Sequence, residues 1–279
     1  MLVDKPAGPT SHDVVQRVRR VLGTRAVGHT GTLDPFATGL LVVLVGRATR
    51  LARFVESQAK TYLATARLGV ATDTDDATGA PLDQPADVSG LGEAAVAAAL
   101  AGFVGEQRQR PPRYSAKHVD GERSYRLARR GAGVDPAEAT VTVSRIDLVR
   151  FAPPDLDFRV TASAGTYVRA LARDLGERLG VGAHLTALRR EAIGTLRVED
   201  AVPLGRLTRE ALLPARAALG HLPALELDEL ARVAVSHGRA VPTAADARGD
   251  VALVHGEELL AVARAEGGWL RPSVVLGTP

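Results

Sequence analysis

The chain has 279 residues with a formal net charge of +3 and a hydrophobic content of 46%, which suits one large domain or two with a sizeable buried core. It contains no cysteine, which excludes disulfide scaffolds, thiolate nucleophiles and cysteine-based metal sites and indicates a reducing, cytoplasmic environment. Its apolar runs fall far short of the roughly 18 residues of a spanning helix, and its start does not resemble a signal peptide, so we expect neither a membrane segment nor export.

The first fifty residues predict a helix, a loop and a buried strand. Thr10 with Asp13 is typical of a helix start, apolar residues follow at helical spacing, and Gly23 is typical of a helix end. Residues 28–39 form an irregular stretch that leads into an apolar strand over residues 40–45. Functional residues often lie in a loop of this kind.

The remaining pattern mixes strands and helices without a regular βαβ rhythm. Helices are predicted over residues 93–101 and 166–179. Strands are predicted over residues 61–69, 141–151, 156–163, 233–235, 251–254, 259–262 and 269–275. These elements predict an α+β fold with a domain boundary near residue 220 and a β-rich tail.

The charge is unevenly distributed along the chain. Residues 1–50 carry a net +4 and residues 106–130 a net +5, whereas residues 71–100 carry −6 and residues 221–279 carry −3. Separate basic and acidic regions predict a groove for a polyanion, although a solvated charged loop would explain a single run equally well. All but three of the 35 basic residues are arginines, which suits phosphate recognition but can also reflect coding bias.

Metal ligands are not predicted from residue spacing. The chain has seven histidines, and no two of them stand three or four residues apart, as zinc ligands commonly do. The acidic residues 73–79 resemble a calcium loop only loosely, because Ala77 occupies a ligand position and the closing glutamate is missing. The glycines of residues 28–39 are not followed by the Lys-Ser/Thr pair of a phosphate-binding loop.

Asp34 is the only acidic residue between positions 14 and 55. The arginines in that window are Arg17, Arg19, Arg20, Arg25, Arg47, Arg50 and Arg53. A carboxylate that stays ionised beside cations suits a nucleophile better than a proton donor. The alternative is an aspartate that satisfies turn amides before Pro35.

A second candidate site lies over residues 164–169, at the start of a predicted helix. Amides at such a start accept anions, and Arg169 in the first turn could pair with a carboxylate or an anion. Tyr167, and likewise Tyr62, could stack on a base or simply pack in the core. Because only 4% of the residues are aromatic, any RNA would be recognised mainly through its shape, its phosphates and a few inserted bases.

Seven blocks of sequence, in order, resemble the signature of one enzyme family. They are residues 4–13, 28–41, 60–62, 73–79, 111–116, 165–169 and 182–190. The resemblance is to the TruB family of bacterial tRNA pseudouridine-55 synthases, and it spans nearly the whole chain. The tail, over residues 222–272, resembles the small RNA-binding PUA-like domain of these enzymes.

This resemblance implies a fold and a set of partners. Residues 1–220 would form a catalytic domain with a mixed, largely antiparallel sheet of the pseudouridine-synthase type and flanking helices, and residues 221–279 a small β-rich PUA-like domain. The basic segment, residues 106–130, would be an insert that clasps RNA, with backbone contacts from Arg113, Lys117 and Arg126. The family acts on the T arm of tRNA without metal or cofactor, and we expect a monomer that needs no protein partner.

The resemblance also implies roles for site residues. Uridine 55 of the T loop would be flipped out and isomerised to pseudouridine, with Asp34 as the nucleophile and Arg169 paired to it. Whether the carboxylate adds first to the base or to the sugar stays open. The supporting residues would be Tyr62 against the base, Asp76 behind the pocket, and His29, Tyr62, Tyr167 and Leu188 around the flipped nucleotide.

Two other functions compete with this one. A tRNA-folding chaperone would depend on binding more than on chemistry. A guide-RNA-dependent synthase subunit, like those of archaeal and eukaryotic relatives, would not act on tRNA by itself.

Overall fold

The structure, a computed structural model, describes residues 1–112 and 137–277 in full and, between them, only the backbone of residues 118–119 and 122–123. The predicted RNA contacts Arg113, Lys117 and Arg126 lie outside the described residues. Among the described helices, none is long and apolar enough to cross a membrane.

The described chain folds into two main sheets with flanking helices. The α-helices are α1 (Ser11–Leu22), α2 (Ala52–Glu56), α3 (Glu93–Ala101), α4 (Val168–Arg178) and α5 (Glu229–Ser236). The strands up to residue 203 are β1 (Leu2–Lys5), β2 (Val27–Thr30), β3 (Thr38–Val45), β4 (Lys60–Leu68), β5 (Gly105–Gln109), β6 (His118–Val119), β7 (Glu122–Arg123), β8 (Ala139–Ala152), β9 (Asp155–Ala162), β10 (Ala183–Ile193), β11 (Leu196–Arg197) and β12 (Val202–Pro203). The later strands are β13 (Ala224–Glu226), β14 (Val241–Pro242), β15 (Gly249–His255), β16 (Glu258–Glu266) and β17 (Trp269–Val275).

The larger sheet has the strand order β12-β1-β3-β10-β4-β9-β8-β5, with β2 paired to β3 and β11 paired to β10. Among these pairs only β1 with β12 and β3 with β10 are parallel. The smaller sheet has the order β13-β15-β16-β17-β14, and β6 pairs with β7 separately. The predicted α+β class, the mixed and largely antiparallel sheet and the β-rich carboxyl-terminal region are therefore confirmed.

Strand β3 is covered on both faces, which explains its unbroken apolar sequence. Leu41 and Val43 pack with the apolar face of α1. Leu40, Val42 and Leu44 point the other way, into a core shared with strands β15, β16 and β17 of the smaller sheet. The two sheets are therefore joined through one hydrophobic core.

Strands β4, β9 and β10 have two different faces. The front face packs under α3 and α4 and forms the largest core. Its residues on β4 and β9 include Tyr62, Ala64, Ala66, Leu68, Leu156, Phe158 and Val160. The alternating residues form the back face, which is partly exposed and charged, as the twofold repeat of a strand requires.

Most predicted elements are confirmed with small shifts at their ends. Thr10 and Asp13 form a capping box at the start of α1, and Gly23 ends it in the left-handed conformation. The predicted helix over residues 93–101 coincides with α3, and the helix over residues 166–179 is α4.

Three predictions about elements are wrong or incomplete. The stretch of residues 28–39 is not irregular at its start, because residues 28–30 belong to β2. The predicted strand over residues 233–235 lies in α5, since Asp228 accepts the Ala231 amide and caps a helix there. The eleven-residue strand β10 was not predicted as a strand at all. In addition, residues 106–109 of the basic segment belong to β5 in the larger sheet.

Candidate active site

The loop that carries Asp34 is tied at both sides. The Ser11 hydroxyl accepts the Leu33 amide at 2.9 Å and donates to the Leu33 carbonyl at 3.1 Å. The Ala37 amide donates to the Asp34 carbonyl at 3.1 Å and closes a turn. The backbone on either side of Asp34 is therefore held by the start of α1 and by this turn.

Lys5, at the end of β1, holds the same loop from below. Its side chain is fully buried, and Nζ donates to the carbonyls of Pro6 at 2.9 Å, Pro9 at 2.8 Å and Pro35 at 3.3 Å. Burial lowers the pKa of Lys5 to about 8, while the nearby charge of Asp34 raises it. The ammonium thus links the first loop of the chain to the residue that follows Asp34.

Strands β3 and β10 approach closely at Gly39. Its φ is +99°, and a Cβ there would overlap the backbone of Arg190. Arg190 is buried, and its guanidinium donates to the Leu40 carbonyl at 2.7 Å and the Gly31 carbonyl at 2.9 Å. This contact brings β10 beneath the loop of Asp34.

Arg169, in the first turn of α4, holds two aspartates. Its Nε lies 3.0 Å from Asp34 Oδ2, and its Nη2 donates to Asp34 Oδ1 at 3.3 Å. Its Nη1 lies 3.3 Å from Asp76 Oδ2 and donates to the Thr74 carbonyl at 3.0 Å. The side chains of Arg169 and Asp76 are 7% and 6% exposed, but that of Asp34 is 35% exposed. Only the Asp34 carboxylate of this cluster is thus open to a ligand.

Asp76 is held by its own loop. Its Oδ1 accepts hydrogen bonds from the Thr74 hydroxyl at 2.8 Å, the Thr78 amide at 3.0 Å and the Thr78 hydroxyl. The aspartates of residues 73–79 therefore bind different partners rather than a common one. Asp75, next to Asp76, accepts a hydrogen bond from Arg173. In the part of the chain that the structure describes, no group of three or more His, Cys, Asp or Glu side chains could hold a metal ion.

A cavity of about 230 Å³ opens in front of this cluster. Its walls are Gly31, Thr32, Leu33, Asp34, Lys60, Tyr62, Gly165, Thr166, Tyr167, Val168, Arg169, Leu188 and Arg190. Five of the residues singled out from the sequence thus meet there: Asp34, Tyr62, Tyr167, Arg169 and Leu188. Asp76 lies behind Arg169, whereas His29 lies on β2 opposite Val43 and is not among the lining residues.

The cations around Asp34 differ from those expected. Arg19, Arg47 and Arg50 donate to backbone carbonyls of Val27, Leu276 and Val275, away from the cavity. The cations that act on Asp34 are Arg169 and Lys5, and they lower its pKa. Burial outweighs them, so the pKa of Asp34 lies above its usual value. The expectation that the arginines of its own sequence window stabilise the Asp34 carboxylate was therefore wrong.

Lys5, Lys60 and Arg190 were not predicted as site residues. Lys60 lines the cavity, its Nζ donates to the carbonyls of Glu56 and Gln58 at 2.7 Å each, and burial lowers its pKa to about 8. The composition could have singled out Lys5 and Lys60, because lysine is rare in this arginine-rich chain. The two lysines in the described residues are both buried, where a compact ammonium fits converging carbonyls better than a planar guanidinium.

Two family models match the chain. The model for the TruB family pseudouridylate synthase (N terminal domain) matches residues 19–168. The model for the tRNA pseudouridylate synthase B C-terminal domain matches residues 169–231. Together they cover the whole cavity from the loop of Asp34 to Arg190.

Similar proteins and structures agree with these models. The chain is 46% identical to tRNA pseudouridine synthase B of Burkholderia mallei, over 100% of this chain and 96% of that protein. It is 47% identical to the protein of the same name in Thermobifida fusca, over 99% of this chain and 97% of that protein. Two solved structures contain a similar chain, and each alignment covers 99% of this chain and 84% of the matched chain. One is an H/ACA RNP bound to a substrate RNA containing 2′-deoxyuridine, with 26% sequence identity and a TM-score of 0.77. The other is a Cbf5-Nop10-Gar1 complex, with 29% sequence identity and a TM-score of 0.78.

Proposed function

The chain belongs to the TruB family of pseudouridylate synthases, and we propose that it isomerises uridine 55 in the T loop of tRNA to pseudouridine, with the Asp34 carboxylate as the nucleophile. The observation that carries this proposal is the cluster in which Arg169 holds Asp34 at the wall of a small cavity. Full-length similarity to proteins named tRNA pseudouridine synthase B supports tRNA as the substrate.

The reaction needs no atoms from outside the substrate. The bond between ribose C1′ and uracil N1 breaks, the uracil turns, and a bond from C1′ to C5 forms. The proton on C5 is lost, and N1 gains one. A carboxylate can assist by adding to C1′ or to C6 of the uracil, and the exposed edge of Asp34 suits either attack.

Arg169 has two tasks in this proposal. Its two contacts with Asp34 fix the direction of the carboxylate, and its charge lowers the pKa of a group that burial otherwise raises. Asp76 holds the same guanidinium from behind, so that Arg169 cannot turn away from Asp34. The carboxylate is thereby aimed at the cavity, and its ionised form is favoured more than burial alone would allow.

The other lining residues would receive the base. The buried Tyr62 ring and Leu188 supply apolar surface for a pyrimidine, and Tyr167 also lines the cavity. A cavity of about 230 Å³ is smaller than the usual range for drug-sized ligands, which suits one nucleotide rather than a helix. The target uridine would therefore have to leave the stack to enter, at a cost of a few kcal/mol. His29, on β2, is also proposed to contact the flipped nucleotide.

The rest of the chain would hold the tRNA. We assign residues 1–220 to catalysis and residues 221–279 to a PUA-like RNA-binding domain, in line with the separate strands of the smaller sheet. Arg113, Lys117 and Arg126 would contact the RNA backbone. In keeping with the family resemblance, we propose that the chain acts as a monomer in the cytoplasm, without cofactor or protein partner.

Tritium release tests the function, because the C5 hydrogen leaves during the reaction. A tRNA transcript labelled with tritium at C5 of its uridines is incubated with the purified chain alone. We expect release of one tritium per tRNA, and none from a transcript with cytidine at position 55. No release from the first transcript, or equal release from both, would reject the proposal.

A tRNA-folding chaperone is the alternative function, supported by the net +5 of residues 106–130. Binding should depend on this segment through phosphate contacts, so Arg113→Ala with Arg126→Ala should weaken tRNA binding and reduce its salt dependence. Filter binding at several salt concentrations measures both effects. Unchanged affinity and salt dependence would show that the segment does not clasp RNA.

A further inference from the structure

Strand β5 ends at Gln109, whose side chain is buried, only 2% exposed, and turned toward the start of α4. Its Oε1 accepts the Tyr167 amide at 2.8 Å, and its Nε2 donates to the Tyr167 carbonyl at 3.1 Å. One side-chain amide thus pairs with both backbone groups of one residue, as a neighbouring strand would.

Tyr167 stands at the N-cap of α4, where a tyrosine cannot serve as Ser, Thr, Asp or Asn does. The Tyr167 carbonyl also accepts the Leu171 amide of the helix at 3.2 Å, but its own amide is held from outside the helix, by Gln109. Tyr167 itself lines the cavity, and Arg169, which holds Asp34, follows two residues later. A shift of the Tyr167 backbone would move both groups.

A second contact joins the same two regions nearly two helical turns further on. Arg173 Nη2 donates to the carbonyl of Arg110, the residue after Gln109, at 2.9 Å. Its Nη1 donates to Asp75 Oδ2 at 2.9 Å, next to the Asp76 that holds Arg169. The end of β5 is thus connected to α4 at two points on either side of Arg169.

We propose that Gln109 is a positioning residue for the isomerisation, which sets the place of Tyr167 and Arg169 in the cavity through its paired hydrogen bonds to the Tyr167 backbone. The inference rests on the proposed function for its catalytic consequence. Its structural part, that Gln109 holds the start of α4, stands on the hydrogen bonds alone.

The test compares Gln109→Met with Gln107→Met. Methionine keeps the length of glutamine and removes the amide. Gln107 lies on the same strand two residues earlier and donates instead to the Phe103 carbonyl at 3.0 Å, away from the cavity. Tritium release is followed in single turnover with saturating enzyme, together with tRNA affinity, melting temperature and hydrogen exchange of the Tyr167 amide.

We expect Gln109→Met to slow the single-turnover rate by about tenfold or more relative to Gln107→Met, because small misplacements of catalytic groups are costly. The Tyr167 amide should exchange faster in that variant alone, and tRNA affinity should stay within about threefold of that of the control. The acidic limb of the pH–rate profile should also move to higher pH, because a displaced Arg169 stabilises the ionised form of Asp34 less well.

Equal rates in the two variants, or unchanged exchange at Tyr167, would overturn the inference. So would an equal loss of rate and melting temperature in both, since that would be an effect on the sheet alone. If Gln109→Met does not fold, Gln109→Glu, which keeps an acceptor and loses the donor, is judged by the same criteria. A wild-type chain that releases no tritium rejects the proposed function, and exchange at Tyr167 then decides whether Gln109 holds the helix start.

Discussion

Arginine–carboxylate pairs occur on both faces of the larger sheet, and the two sets differ in their effect on the carboxylate. On the back face, hydrogen bonds from Arg67 and Arg150 lower the pKa of Asp155 and Asp157. On the front face, Arg169 also lowers the pKa of Asp34, but burial outweighs it and the net pKa is raised. The same pairing therefore gives opposite results because the Asp34 carboxylate is desolvated beside an almost fully buried arginine, whereas the arginines of the back-face pairs lie about half exposed at the surface.

The difference separates the stabilising pairs from the reactive one. The unfolded-state pKa of Asp155 lies above its folded value, so this ion pair contributes stability at neutral pH that is lost as the pH falls. Asp34 contributes to stability with the opposite pH dependence. Its folded pKa lies above the unfolded value, so its ionisation lowers the free energy of unfolding as the pH rises. A buried carboxylate kept at such a cost is typical of a functional site.

The largest effect should follow from Asp34→Asn. We expect pseudouridine formation to fall by at least about 10⁴-fold, because the amide is not a nucleophile. Affinity for tRNA should stay within about tenfold, and the melting temperature should not fall, because the buried charge is gone. Single-turnover assays, filter binding and thermal melts measure these quantities. A variant that still isomerises uridine would reject Asp34 as the nucleophile.

Arg169→Met should have the next largest effect. Without the guanidinium, Asp34 keeps only the charge of Lys5 nearby and is repelled by Asp76, so we expect a rate loss of about 100-fold or more and a stability loss of about 3 kcal/mol. The pKa of Asp34 should rise further, which moves the acidic limb of the pH–rate profile to higher pH. An acidic limb that does not move would contradict the role assigned to this pair.

The same substitution on the back face serves as the control. Arg159 pairs with Glu191 at 2.8 Å, and its side chain is 46% exposed. Because an exposed pair contributes little, Arg159→Met should change the free energy of unfolding by less than about 1 kcal/mol and leave the rate unchanged. Chemical denaturation and the tritium assay test this, and a rate loss like that of Arg169→Met would remove the distinction between the two faces.

The parts of the fold that follow from local sequence were predictable. The capping box and periodicity of α1 and the apolar run of β3 each reflect contacts made by nearby residues or by both faces of one strand. Strand β10 was missed because two bulges break its alternation and because a buried cation, Arg190, stands at a core position. A local pattern does not identify an arginine that is buried by its distant partners.

The site could be predicted only in part for a related reason. Isolation in the sequence singled out Asp34, but its partner Arg169 is 135 residues away, and only the family resemblance connected the two. The support around them was not predictable from local pattern, since Lys5 and Gln109 act through backbone carbonyls and amides of other segments. Every residue type offers a backbone carbonyl, so the residue that accepts such a hydrogen bond cannot be recognised from its side chain.

The activity of Asp34 on uridine 55 is tested most directly by mapping pseudouridine at single-nucleotide resolution in an unmodified tRNA transcript incubated with the purified wild-type chain. Carbodiimide labelling followed by primer extension identifies each modified position. We expect one new pseudouridine, at position 55, and none after incubation with Asp34→Asn. A transcript without pseudouridine, one modified at another position instead, or one modified equally by Asp34→Asn would contradict this expectation.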